Sequence, residues 1–338
     1  AFHAKWEPDW RIPSPPWWLA AAFVLLLIAA ALRKQPFRTR AVFWTAAAVT
    51  LAAISLHPFA PVLEPNQFEL SVIDVGQGDS LFAAFPSGKT MLIDAGGIAT
   101  FGRTHRPGID IGEDVVSPYL WTRSIKHLDI VAMTHAHADH MGGMVSILKN
   151  FHPRELWTGA VGESPEWQEV RKAAIDLGIP IHQLRQGEPF PYGGTTMQVL
   201  APLRDYTATE KPQNNDSLVL RVQFGSRSFL LTGDMEKKIE EDLFRSGMLQ
   251  PADVLKVGHH GSRTSTTPEL LASVKPVFGI ISVGFENTYG HPHPLTLEAL
   301  RDQHVAIYRT DEDGLVRILS DGKRLNIEPT IPINTLYK

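Results

Sequence analysis

The segment Thr134-His135-Ala136-His137-Ala138-Asp139-His140 puts three imidazoles and a carboxylate into six consecutive positions. Imidazole nitrogen and carboxylate oxygen are the donors that a borderline divalent cation such as zinc prefers. In extended chain His135 and His137 point the same way and can grip one ion. Asp139 and His140 follow once the chain turns toward a helix, so they can serve a second. Two cations roughly 3.5–4 Å apart are the usual arrangement for displacement at phosphorus. A solvated histidine-rich loop has no need of this spacing.

Other residues of the same chemistry stand at the ends of apolar runs. Asp234 closes Ser228-Phe229-Leu230-Leu231-Thr232-Gly233, where it could bridge two ions or cap the helix read over Met235 to Phe244. His259 and His260 follow the strand-like run Asp253 to Val257. One of them could complete a metal shell while the other donates a proton or holds an anionic oxygen. Asp94, after Thr90 to Ile93, could hold a ligand histidine by its second nitrogen or cap a turn. His291 and His293 read equally as site residues or as loop residues. Lys256 and Arg263 could guide a phosphate backbone, or be ordinary solvated charges.

These groups need strands that end together. Leu128 to Met133 ahead of the histidines is short and apolar, a buried strand. Phe68 to Ile73 alternates like a strand and runs into the glycine-bearing turn 74–80. Leu81 to Phe85 and Thr90 to Ile93 read as a hairpin around Pro86-Ser87-Gly88-Lys89. A polar loop with Arg103, His105 and Arg106 follows, then helices over Asp114 to Ser124, Met141 to Asn150 and Glu166 to Leu177. Further strands are read at Thr196 to Leu200, Ser217 to Phe224 and Val277 to Val283. Val305 to Tyr308 and Leu315 to Leu319, around the turn Asp311-Glu312-Asp313-Gly314, are read as finishing a second sheet. Strands ending at one edge and separated by helices describe an α/β protein, a two-sheet sandwich with helices outside.

The first sixty residues differ from the rest. Trp17 to Leu32 and Ala41 to Leu56 are apolar runs, each slightly short of the ~20 residues of a bilayer span. Trp17, Trp18 and Trp44 suit an interfacial belt, and the basic stretch 33–40 would lie in the cytoplasm. The expectation is a membrane hairpin over 1–60, a proline-bearing linker over 61–67, and a catalytic-looking domain over 68–338. Because Ala1 replaces an initiator methionine, the chain is read as a fragment or a processed product that ends a larger membrane domain. With 338 residues, a net charge of −4 and no cysteine, thiolate sites, disulfides and a global basic field are excluded.

Here the motifs carry a resemblance. The ligand pattern of residues 135–140, Asp234 after a buried strand and a later histidine resemble the metallo-β-lactamase superfamily over about residues 68–325. More narrowly, DVGQGDS at 74–80, LIDAGG at 92–97, NNDSLVL at 214–220, LTGD at 231–234, GHHGS at 258–262 and YGHPHP at 289–294 look like the carboxy-terminal domain of the ComEC family. Its members are DNA-uptake channels of naturally competent bacteria, in which this domain adjoins a polytopic membrane region.

The resemblance implies a metallo-β-lactamase αββα sandwich with two divalent ions, zinc or manganese. His135, His137, Asp139, His140, Asp234 and His259 would hold them, with Asp234 bridging and Asp139 also counted as catalytic. His260 would be the acid or phosphate donor, with His293 in support. The implied reaction is phosphodiester hydrolysis of DNA, by a water activated at the metals, on the extracytoplasmic side of the bacterial membrane. It would degrade the strand that is not imported, with DNA, the membrane and the remaining uptake machinery as partners. Many superfamily members place a histidine ligand where Asn214-Asn215 stand here; an amide is a poor zinc ligand, so one ion would be weakly held or oxygen-loving. Two rivals share the fold. One hydrolyses a small thioester, lactone or phosphocholine ester in a narrow pocket. The other is a non-catalytic DNA-receiving domain, against which the full ligand set speaks. The slight acidity favours both rivals, and salt-sensitive DNA binding separates the nuclease from the small-ester enzyme.

Overall fold

Apolar runs of two periods build two separate units, Ala1–Val62 with Pro118–Lys126, and Leu63–Ser117 with His127–Lys338. A computed structural model describes residues 11–32, 36–98 and 108–331. Arg33, Lys34, Arg103, His105 and Arg106 lie outside those residues.

In the first unit, α1 (Trp17–Ala31) packs on α2 (Phe37–Leu56). Among the described residues α2, with 20 residues, is the helix long and apolar enough to cross a membrane; α1 has 15. Pro36 at the N-cap starts α2 early, because its fixed φ suits a helix entry. Arg38 and Arg40, expected in a basic loop, are therefore helical. Arg40 Nε donates to the carbonyl of Ala30 at 3.2 Å, one of the acceptors that the end of α1 leaves without an intrahelical partner. Most of α3 (Ser117–Thr122) belongs to the same unit, where Lys126 Nζ donates to Leu56 O at 3.1 Å.

The second unit is a pair of sheets. β1 (Phe68–Val72), β2 (Leu81–Ala84), β3 (Thr90–Ile93), β4 (Ile130–Met133), β5 (Glu155–Thr158) and β6 (Ile181–Gln183) enter the first sheet. β7 (Phe190–Tyr192), β8 (Thr195–Ala201), β9 (Val219–Phe224), β10 (Arg227–Leu231), β11 (Val254–Lys256), β12 (Phe278–Ile281) and β13 (Ala306–Arg309) make the second. The chain then returns to the first sheet with β14 (Val316–Ser320) and β15 (Leu325–Pro329). Strand orders are β15-β14-β1-β2-β3-β4-β5-β6 and β13-β12-β11-β10-β9-β8-β7. β1, β2, β3 and β4 are buried along their whole length, as strands covered on both faces must be. Between the sheets, Phe68 of β1 meets Phe229 of β10 edge to face, with ring centroids 4.7 Å apart, inside a continuous apolar layer.

The helices are α4 (Ala138–Met141), α5 (Met144–Phe151), α6 (Pro165–Asp176), α7 (Lys237–Arg245), α8 (Pro268–Val274), α9 (Pro294–Asp302) and α10 (Thr310–Asp313). Leu243 of α7, Leu270 of α8 and Leu300 of α9 form a second core with Leu230 and Leu255 on the outer face of the second sheet. Helices thus lie outside the sandwich, as expected.

One expectation of local topology fails. β13 and β14 do not complete one sheet around a turn. β13 runs parallel to β12, whereas β14 pairs antiparallel with β1, from Phe68↔Ser320 to Val72↔Val316. The expected turn is α10, held by Arg309 N donating to Asp313 Oδ2 at 2.7 Å and by Thr310 Oγ1 donating to Val283 O at 2.9 Å. Its short span carries the chain from one sheet to the other.

Phe229 is fully buried where the sheets meet. Phe229→Ala should destabilise the domain by about 3–5 kcal/mol, read as a lower midpoint in denaturant unfolding.

Candidate metal centre

The residues with chemistry follow the carboxyl ends of strands that run the same way. β3 and β4 are parallel, and so are β10, β11 and β12. Asp94 follows β3, His135 and His137 follow β4, Asp234 follows β10, and His259 and His260 follow β11. The turn after β1 adds Asp79. Close backbone approach draws these loops together: a Cβ on Gly78, at φ +144°, would stand 2.3 Å from the Asp139 carbonyl oxygen. Glycine alone fits there, and the Asp79 amide donates to that same carbonyl at 3.2 Å.

Asp94 is the organiser. Its carboxylate accepts from the Thr134 amide at 2.7 Å, from Thr134 Oγ1 at 2.6 Å and from His140 Nδ1 at 2.8 Å. With Nδ1 engaged, His140 presents Nε2 to Asp234 Oδ2 at 3.2 Å. His260 is oriented in the same manner, donating from Nδ1 to Ser282 O at 2.9 Å. Its Nε2 lies 3.5 Å from both Asp139 Oδ2 and Asp234 Oδ2. His135 Nε2 and His137 Nδ1 are 2.9 Å apart. The Asp234 amide donates to Ser217 Oγ at 3.1 Å, which fixes the turn after β10. The N-cap of α7 is Glu236, so capping does not occupy the Asp234 carboxylate.

Donor atoms of His135, His140 and Asp234 lie within 4.8 Å of one another, and so do those of Asp139, His140 and His260, and of Asp79, Asp234 and His260. Among the described residues, buried His140 Nε2, His260 Nε2 and Asp234 Oδ1 meet no group in hydrogen-bonding geometry. Nitrogen and oxygen lone pairs gathered this way fit a divalent cation.

Electrostatics agree. Burial pushes the Asp234 carboxyl up, but the charges of His260 and His140 outweigh it and hold the group well below the usual range. Asp139 is held down too; burial opposes, and His260 and His140 prevail. Burial also opposes the low value of Asp79, which the Lys256 ammonium and His260 set at about 2. In return, against its own burial, His260 is raised to about 10 by Asp234 and Asp79, and His140 is raised well above its ordinary value by Asp234 and Asp94. The carboxylates thus gather positive charge from whatever supplies it, protons included.

The structure separates the predicted residues. It brings His135, His137, Asp139, His140, Asp234 and His260 together. His259, read as a ligand, stands at the rim with its Nδ1 3.3 Å from Glu236 Oε1 and its Nε2 3.9 Å from Asp234 Oδ2. His260, read as the acid, takes the inner place. Both carry positive φ, 48° and 52°, and this sharp turn points the adjacent rings in different directions. His293 is not in the hollow: it caps α9, its Nδ1 accepting from the Leu295 amide at 3.2 Å. His291 lines the hollow instead, pushed down to about 4 by burial and by its neighbours His259 and His260. Asn214 also lines it, donating to Glu236 Oε1 at 3.1 Å. Asn215 instead accepts from the Glu236 amide at 3.0 Å.

Sequence reasoning missed two groups. Asp79 stands just ahead of β2, inside the glycine-bearing turn 74–80, and that turn was the signal. Lys256, read as a surface cation, is only 1 % exposed and pairs with Asp79; its place inside the β11 strand is the signal. Arg263 is exposed.

Comparison with known proteins bears on this geometry. The model of the metallo-β-lactamase superfamily matches residues 73–284. ComE operon protein 3 of Bacillus subtilis is 36 % identical over 259 residues, 75 % of this chain and 33 % of that protein. Recombination protein 2 of Haemophilus influenzae is 31 % identical over 280 residues, 83 % of this chain and 32 % of that protein. Competence protein ComA of Neisseria gonorrhoeae is 28 % identical over 253 residues, 75 % of this chain and 32 % of that protein. The chain spans about a third of the length of these relatives, and the resemblance to the ComEC family holds.

Asp94→Asn should weaken manganese or zinc binding by about 10–100-fold while leaving the fold intact, because it loosens a ligand rather than removing one; titration calorimetry reads the loss. In the parent protein, metal affinity should rise as pH goes from about 6 to about 8, with protons released on binding, since His140 and His260 hold theirs until a cation replaces them. Calorimetry in buffers of different ionisation enthalpy counts those protons.

Proposed function

We propose that this chain, which belongs to the metallo-β-lactamase superfamily, is a metal-dependent phosphodiesterase that cuts DNA during uptake of transforming DNA. The observation that carries the reading is the convergence of Asp139, Asp234 and His260 from the ends of β4, β10 and β11 in one open hollow of about 370 Å³, with His140 buried behind them, its Nε2 3.2 Å from Asp234 Oδ2. Fold alone would not identify a reaction; the donor set and the names of the competence relatives support this one.

In this reading His135, His137, Asp139, His140, Asp234 and His260 would hold the divalent cations, zinc or manganese, with the Asp234 carboxylate central to the set. When bound, such ions supply an acidified water and offset charge on a phosphate. Asp94 and Ser282 keep His140 and His260 aimed inward. Asp79, neutralised by Lys256, sits beneath His260 and holds the inner wall. His259, braced by Glu236, offers its Nε2 at the rim to a phosphate oxygen or to the departing alkoxide, the role first assigned to its neighbour. The net charge of −4 makes the contact with DNA local to this hollow.

The domain plan follows the same reading: a membrane hairpin over 1–60, a linker over 61–67 and the catalytic domain over 68–338. α2 crosses the bilayer with α1 beside it, and the basic residues at their junction stay in the cytoplasm. The site then faces outward, where it degrades the strand that the rest of the uptake machinery does not import.

The test uses the full chain in detergent, labelled single- and double-stranded DNA, and manganese or zinc. Asp139→Ala and Asp234→Ala should each lose more than the about 10–100-fold typical of residues that merely support a ligand. Cleavage undiminished in both variants identifies a contaminant and ends the proposal.

A further inference from the structure

The loop that follows β12 forms one wall of the hollow and carries an aromatic ring to its mouth. Tyr289 lines the same hollow as Asp139, Asp234 and His260, yet 36 % of it stays exposed. Its ring lies nearly parallel to that of His291, at 19° with centroids 6.2 Å apart, and His291 in turn meets the edge of His259 at 5.6 Å. Burial and the charge of Asp139 raise the Tyr289 phenol above its ordinary value, in keeping with a ring held beside the carboxylates.

The loop is pinned rather than floppy. Asn287 Nδ2 donates to Gly284 O at 2.9 Å and to His291 O at 2.6 Å. Its Oδ1 accepts from the amides of Tyr289 and His291 at 3.2 and 3.1 Å. Gly284 is anchored to the β1 side by its amide, which donates to Gln77 Oε1 at 3.3 Å. His293 N donates to Gly261 O at 2.8 Å, tying the far end to the histidine turn. A ring fixed in this way loses little freedom on binding, which is what a stacking partner needs.

We infer that Tyr289 is a shelf for an unpaired nucleobase next to the phosphate being cut, making it a specificity-determining residue for single-stranded polynucleotide. The inference rests on the phosphodiesterase reading and deepens it. A phosphate held over Asp139, Asp234 and His260 would leave its neighbouring nucleoside toward the mouth of the hollow, where Tyr289 stands. Every base has a π-face, so stacking there selects for unpaired bases without selecting a sequence. Phe285, on the same loop and 74 % exposed, does not line the hollow and has no such part.

The experiment compares two labelled single strands of equal length and charge, an oligothymidylate and one with abasic sites at alternate positions. The full chain in detergent with manganese is assayed for kcat and KM on each. The parent protein should prefer the base-bearing strand in kcat/KM by roughly five- to 150-fold, the range expected for one stacked base. Tyr289→Ala should bring that ratio close to one by raising KM on the base-bearing strand alone. Tyr289→Phe and Phe285→Ala should keep it. A ratio unchanged in Tyr289→Ala, or lost in Tyr289→Phe or Phe285→Ala, overturns the shelf while leaving the nuclease intact. No metal-dependent cleavage of either strand by the parent protein overturns the nuclease reading itself.

Discussion

Buried carboxylates held close together are the constraint that everything else in the domain answers. Asp79, Asp94 and Asp234 are almost fully shielded from water, with Asp139 beside them at the floor of the hollow. Such a group is untenable without compensating positive charge. The chain supplies part of it as Lys256 and part as His140 and His260, whose protons the carboxylates retain. The rest of the compensation fits a cation. Ligand geometry, histidine orientation and the wish of the site for metal are therefore one electrostatic problem seen from several sides.

The sandwich solves that problem by division of labour between its sheets. The first delivers Asp79, Asp94 and the His135–His140 segment, and the second delivers Asp234, His260 and the rim loop. Neither set is complete alone. The apolar layer around Phe68 and Phe229 fixes the distance between them, so packing energy is spent on bringing opposed charges into register. The glycine at 78 allows the β1 turn to touch the backbone of Asp139, a contact that any side chain would prevent.

Much of this was readable from residue types, and the failures have identifiable causes. Spacing in residues 134–140 and the strand ahead of them were enough to foresee a gathering of donors that could hold a metal ion, because alternation in extended chain has a direct geometric meaning. Strand-end carboxylates at Asp94 and Asp234 were equally visible. The distinction between His259 and His260 was not. It depends on two successive positive φ angles, which neither residue's type announces. Lys256 looked like a surface cation because composition reports charge and not burial; only the neighbouring Asp79 explains why it can lie inside. His293 fell out of the site because a histidine before Pro-Leu can cap a helix, a competing local bond that spacing does not weigh. The path from β13 to β14 was misread because a short polar turn between two strands ordinarily signals a hairpin, and only the tertiary pairing of β1 with β14 shows otherwise.

That last pairing has a consequence for how the protein is made. Phe68 aligns with Ser320, so the edge of β1 is covered by a strand that leaves the ribosome long after it. Contacts of such long sequence separation form slowly. Until they form, the nascent domain carries an open β edge with a ready appetite for other chains. A holding chaperone therefore has work to do until β14 is made.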